Sequence, residues 1–472
     1  MQQQIKQVYR LLKNYKMGDY STSSHSSPCY TSECESEYED CKGMSKKKQL
    51  FMIGLLMVNS LCLWITFGIR SGFLLGSFAE HDIPSGMAGL VEGSMLLGYI
   101  LTFVSGLGNF LMRRYNSRIL LAGNSGITAL LTLATGVVYL DHRNLTVVIV
   151  SIGLRILQGC CSYFSYVFLF DTFSAQFSAF FDLAVALNGL AGYAGMGLSV
   201  TIGCVLFDKL GYVTTFAVAS AFCMVQALFM LFLPPTPTYL STQKPENRGE
   251  NKEEDSVKKV NKLSWLTIIP LIASLFINLN FGYLQVTMTE FMHESLGKSY
   301  SFGGLVFSLS TVGLILGSIF SGIVLQEKLI KANTQMLFGA ILMVMALLLA
   351  FPPASVEWIA AFSSWPASLL AGAGESLVTL AAITAMYDVQ REVRGEVTPK
   401  CATNIAGMWV VGYAGFYFGG SGMAGAVKGL LSFYHMSLVM VGCCALSGVM
   451  CVLIGCINRK KSSGEKTPLL ST

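Results

Sequence analysis

Stretches of about nineteen residues with few or no charges recur along most of this chain, and that length matches the hydrocarbon core of a bilayer crossed by an α-helix. The residue content agrees: 53% of the chain is hydrophobic and 12% charged, against about 25% charged in soluble domains. The strand-length dyad alternation of an outer-membrane barrel is absent. The chain reads as an all-α, multi-pass membrane protein.

Twelve spans are expected, at about 50–74, 86–110, 118–139, 146–169, 182–206, 213–234, 264–288, 301–325, 335–352, 361–387, 402–424 and 432–456. Between the sixth and seventh runs "TPTYLSTQKPENRGENKEEDSVKKVNK", polar and of mixed charge, which reads as a flexible linker. The expected organisation is a disordered tail over 1–48, a six-helix bundle over 49–235, a linker over 236–263, a second bundle over 264–457 and a tail over 458–472. Six spans, a polar linker and six more resemble the major facilitator superfamily. That likeness implies two six-helix halves with a substrate site near the midplane between them.

Lysine and arginine set the expected orientation. Most of the 32 basic residues fall in the tails, the linker and the loops on the side shared by the termini. The opposite loops hold only Arg143, Lys209, Lys298 and Lys428. The positive-inside rule therefore predicts cytosolic termini. The first 48 residues lack the apolar core of a signal peptide. The tail cysteines Cys29, Cys34 and Cys41 have irregular spacing and no histidine array, so no metal is expected there. At the other end, Glu465, Leu469 and Leu470 fit an acidic dileucine pattern, Glu-x-x-x-Leu-Leu, of the kind read by sorting adaptors. It predicts a vesicular, endosomal or lysosomal membrane, with the plasma membrane as the alternative. Asn144 in "NLT" is a sequon too close to a span to be expected to carry a glycan.

A charge at the centre of a span costs about 2.5–3.5 kcal/mol on insertion scales unless it is paired or faces water. Few such residues occur: Arg70, Glu92, Arg155 and Glu375, with Asp171, Glu290 and Asp388 nearer span ends and expected to snorkel or lie in loops. Glu375 stands alone in "SLLAGAGESLVTLAAITAMY". Either it is a substrate and proton-coupling site, because a lone buried carboxylate can hold a proton or an ammonium in turn, or it is a structural partner for Arg155. Glu92 is read as a rim contact or a pathway residue.

"SIGLRILQGCCSYF" carries Arg155, Gln158 and Gly159 in an Arg-x-x-Gln-Gly pattern similar to one in the fourth span of proton-coupled superfamily members, where the arginine faces the cavity and aids proton movement. Two other superfamily signatures are degraded. The loop signature appears as "GNFLMRRYNSR", keeping Gly108 and Arg113 but with Met112 in place of Asp. The antiporter pattern of span five keeps Gly195 and Gly203, with Val200 where a proline would stand. Small residues there still permit close helix contact.

In "GLVEGSMLLGYILTFVSGLGN", "GCVLFDKLGY", "FGYLQVTMTEFMHESLG", "GGLVFSLSTVGLILGSIFSGIV" and the tail "EKTPLLST", the chain resembles the vesicular amine transporter family, most closely its polyamine branch. The resemblance implies proton-coupled antiport of cationic amines from cytosol into acidic vesicles. It places Glu375-Ser376 where monoamine members carry an Asp-Ser pair in span ten. It also puts Gln285-Val286 where span seven usually has an acid before a proline, and Cys62 where span one has an acid. Asn278, Asn280, Tyr283 and Gln285 along span seven are read as cavity lining. The rival reading is a proton-coupled carrier of an organic anion such as a monocarboxylate, because Arg70 in "ITFGIRSGFLLGSF" resembles the cationic position of such carriers. No nucleophile–base pairing, metal spacing or phosphate loop appears, so neither an enzyme nor a cofactor is expected. The expected partners are a small solute, protons, lipid and sorting adaptors, with no nucleic acid.

Overall fold

Helices account for nearly all of residues 46–115, 117–141, 143–176, 181–233, 264–326, 329–353, 359–394, 399–428 and 430–462, which the computed structural model describes. In chain order they are α1 (Lys46–Gly68), a short α2 (Leu74–Ala79), α3 (Ser85–Ser105), α4 (Leu107–Arg114), α5 (Ser117–Val138), α6 (Asn144–Gln176) and α7 (Phe181–Met230). After a 3-10 turn at Trp265–Thr267 come α8 (Ile268–Glu294), α9 (Tyr300–Gln326), α10 (Ala332–Ala350) and α11 (Ala360–Arg394). The last are α12 (Pro399–Val410), a π-helical turn (Val411–Gly415), α13 (Phe416–Lys428) and α14 (Phe433–Ser462). The expected linker and both expected tails lie almost wholly outside the described residues.

Ten helices among the described residues are long and apolar enough to cross a membrane. One of them contains two crossings. The expected spans five and six join into α7, which reverses at Gly211, where φ is +77° and ψ 177°. That backbone region is open essentially to glycine alone, so a single residue makes the turn that the sequence suggested was a loop. The expected span eleven is present but divided by the π turn into α12 and α13, each short by itself. Two other expected ends are corrected. Helix α6 continues to Gln176 and α11 to Arg394, because hydropathy falls at the first charges, Asp171 and Asp388, whereas i→i−4 bonding does not.

Burial is inverted relative to a soluble fold. Leu97, Leu101 and Val104 on α3, Leu130 on α5, Leu316 and Ile319 on α9, and Leu446 and Val449 on α14 are exposed, forming surface for acyl chains. Asn59, Glu92, Gln226, Asn280, Gln285 and Glu375 are completely buried. In the first half α3 and α5 pack on α6, and α5 on α7; in the second, α11 packs on α8, α9 and α10, and α14 on α8 and α10. The halves meet chiefly along α3 with α13 and along α7 with α9. The α3–α13 crossing is glycine on glycine: a Cβ on Gly425 would sit 2.6 Å from the Gly89 backbone, and Gly422 faces Gly93 in the same way. Without side chains at the contact, the two backbones touch and dispersion acts at full strength.

Candidate functional site

Two buried electrostatic centres lie inside the bundle. The first is built from three segments of the first half. Arg70 stands on the turn after α1, Glu92 in α3 and Arg155 in α6, and all three are within 2% of complete burial. Arg70 Nε donates to Glu92 Oε2 at 2.6 Å, and Arg155 Nη2 donates to Glu92 Oε1. Arg155 Nη1 donates to Gln158 Oε1 at 2.9 Å, and Gln158 Nε2 to Thr132 Oγ1 at 3.2 Å. The Phe418 ring of α13 covers the Arg155 guanidinium at 5.6 Å, so the second half of the chain reaches this centre. One carboxylate thus serves two guanidiniums, and the group keeps one positive charge in excess. Glu92 is therefore a central bridge and not a rim residue, and Arg70 does not snorkel to the surface.

The second centre is Glu375, near the middle of α11 and completely buried. Thr379, one turn along, donates to its Oε1 at 3.1 Å; Oε2 has no hydrogen-bond partner among the described residues. Asn278 Nδ2 donates to the Thr379 hydroxyl at 3.1 Å, and Trp409 Nε1 to the Thr379 carbonyl at 2.9 Å, so α8 and α12 hold this turn of α11 from two sides. Tyr193, Tyr413 and Tyr417 lie within electrostatic reach of the carboxylate. Trp64 of α1 then joins them into one aromatic cluster, with ring centroids 5.5 Å from Tyr413 and 5.4 Å from Tyr417. Tyr417 feels Glu92 and Arg155 as well as Glu375, and is the side chain that links the two centres. Arg155 is paired with Glu92; the sequence alternative in which it pairs with Glu375 is not what the structure forms.

The residues expected along span seven divide between two faces. Asn278 and Gln285 are seven apart and share a face: Asn278 meets α11, and Gln285 Nε2 lies near Gly68 at the end of α1. Both amide atoms of Gln285 are buried without a hydrogen-bond partner among the described residues. Asn280 donates back to the Phe276 carbonyl, and the Tyr283 ring packs near Phe351 at 6.1 Å, toward the interior of the second half. Gly195 and Gly203 of α7 press against the carbonyls of Leu61 and Ile69. Gly108 lies in α4, as does Arg113, whose side chain is outside the described residues; so are Glu465, Leu469 and Leu470. Asn144 donates to the His81 carbonyl at 2.8 Å.

Glu290 corrects an expectation. It is buried, accepts from Lys428 at the end of α13 and lies 3.4 Å from the Tyr300 hydroxyl, so it neither snorkels nor sits in a loop. Lys428 also pairs with Glu294 at 2.7 Å. This ion group, with the bond from Ser301 N–H to Asp208 at 3.0 Å, ties helix ends together at the end of the bundle away from the start of α1. The aromatic members of the second centre, Trp64, Tyr193, Tyr413 and Tyr417, were not singled out in the sequence. Their one sequence signal was the i, i+4 spacing of Tyr413 and Tyr417, which a lipid-facing stripe shares.

The family model for the Major Facilitator Superfamily matches residues 50–399. The chain belongs to this superfamily. Among solved structures it is similar to a point variant of the nucleoside transporter NupG, at TM-score 0.60 and 14% identity, covering 85% of this chain and 99% of that one. It is also similar to an inward-facing, unoccupied bacterial homolog of the human lysosomal transporter Spinster, at TM-score 0.56 and 12% identity, covering 87% and 96%. At these identities the likeness shows the fold. A comparison with curated proteins found no match. The superfamily is one of transporters and not of enzymes, which fits a chain that carries a small solute across a membrane.

Proposed function

We propose that the protein is a proton-coupled carrier of organic cations, amines or polyamines, acting as an antiporter in an acidic vesicle membrane. The observation that carries this reading is Glu375: a buried carboxylate with one unpartnered oxygen, no cationic partner among the described residues, and three tyrosines and a tryptophan nearby. A lone acid in a low-dielectric interior is tolerated when it is neutralised, either by a proton or by a substrate ammonium. Those two states exclude each other, which is the stoichiometric basis of exchange. Aromatic faces add cation–π attraction for an ammonium and offer none to a carboxylate. Direction, amine class and vesicular location come from the resemblance in the sequence segments quoted above.

The rival reading, carriage of an organic anion, draws on Arg70. Its Nε is paired with Glu92 in a centre that does not include Glu375, which supports the cation reading over it. The test is uptake into proteoliposomes with an acidic interior, using labelled spermidine, a monoamine, lactate and a nucleoside. Saturable amine uptake is expected, with Glu375→Gln losing at least tenfold in proton-driven rate while remaining monodisperse. Saturable lactate or nucleoside uptake without amine uptake would overturn the proposal.

A further inference from the structure

The Arg70–Glu92–Arg155 centre is incomplete as an electrostatic unit. Arginine does not give up its proton inside a protein, so the centre holds two permanent positive charges against one negative. Among the described residues no second carboxylate reaches either guanidinium. Three of their six nitrogens, Nη1 and Nη2 of Arg70 and Nε of Arg155, are buried without a well-formed hydrogen bond to any described residue, although the Tyr212 hydroxyl lies beside the Arg70 guanidinium. The adjacent hydroxyl of Ser71 is also buried and unpartnered. A buried guanidinium whose one charged partner is held at Nε leaves its two Nη groups without an anion, and that fork is the part of the side chain that grips anions.

We propose that this centre binds one small monovalent inorganic anion, of the halide class, on the open Nη fork of Arg70. The charge count selects a single negative charge, since one monovalent anion brings the group to neutrality. Packing selects a small one. The Phe418 ring lies 5.6 Å from the Arg155 guanidinium carbon, Tyr212 stands beside Arg70, and the Tyr212 ring in turn packs on Phe73 and Tyr139 with centroids at 6.0 and 3.8 Å. An ion neutralising the first-half centre would leave Tyr417 and the Glu375 cluster free for the transported solute, so the anion is a resident ligand and not the cargo. This site is independent of the Glu375 reading and can fail without it.

The test uses full-length protein purified with gluconate as the only anion, in which chloride replaces gluconate at constant ionic strength. Chloride and bromide should each give a saturable rise in melting temperature of roughly 2–5 °C. The rise should be absent in Arg70→Gln, where one arginine and one glutamate already balance, and retained in Lys209→Gln, which changes an exposed charge. An equal rise in Arg70→Gln, or a rise that never saturates, overturns the site. Saturation by lactate or acetate but not by chloride also overturns it, transferring the fork to an organic carboxylate. If Arg70→Gln does not fold, anomalous diffraction from bromide-grown crystals of the unaltered protein decides: a peak at the Arg70 fork is expected, and its absence overturns the proposal.

Discussion

Glu92 is the residue on which the first half depends most, because a single carboxylate joins α3 to two cations from other segments. Removing its charge leaves two buried guanidiniums unpaired, which costs about 3–5 kcal/mol for breaking a buried pair. Glu92→Gln is therefore expected to melt several degrees lower and to aggregate in gel filtration, and Glu92→Gln with Arg155→Gln to recover part of the loss. An unaltered melting temperature in the single variant would show that the bridge contributes nothing. At this scale the sequence was half legible. Arg70, Glu92, Arg155 and Glu375 announce themselves, since a charge in an apolar window is expensive wherever it ends up. Which of them pair was not legible, because Arg155 meets a carboxylate 63 residues away while Glu375 meets no cation among the described residues. The tyrosines around Glu375 were hidden for the opposite reason: an aromatic residue costs nothing on either face of a membrane helix.

Helices were easier to read than their ends. Apolar length fixes where a chain crosses, whereas a helix stops only when its hydrogen bonding does, and so α6 and α11 outran the hydropathy signal. The reversal at Gly211 falls in the gap that the sequence left between spans five and six, beside Asp208 and Lys209; what was not legible is that a single glycine makes it without a loop. Where backbones touch, an added side chain has nowhere to go. Gly425→Leu at the α3–α13 crossing should force the helices apart at a cost of about 1–3 kcal/mol or more, whereas the same change at Gly442, with open space around its Cα, should be silent. Melting temperature and uptake rate measured together for the two variants check this. A neutral Gly425→Leu would mean that the halves do not rely on that contact.

For the molecule as a whole, two six-helix halves in the order of the superfamily could be read from span count and the polar linker, and the family match agrees with that reading. Its destination in the cell rests on residues outside the described structure. Changing Leu469 and Leu470 to Ala is expected to move a fluorescently tagged protein from internal vesicles to the cell surface; an unchanged distribution would remove the sorting proposal. The π turn at Val411–Gly415 has a different reach. A π turn amounts to one surplus residue in a helix, so everything downstream is offset by about 100° from the phase an unbroken helix would have. Trp409 and α12 are set by one phase, and Tyr417, Phe418, Gly422, Gly425 and Lys428 by the other. The surplus residue lets one span serve two masters: its first part is aligned to the Thr379 carbonyl beside Glu375, its second to the α3 backbone and to Glu290. Shortening the turn by one residue would leave the composition of the span almost unaltered, yet rotate every far contact out of register at once.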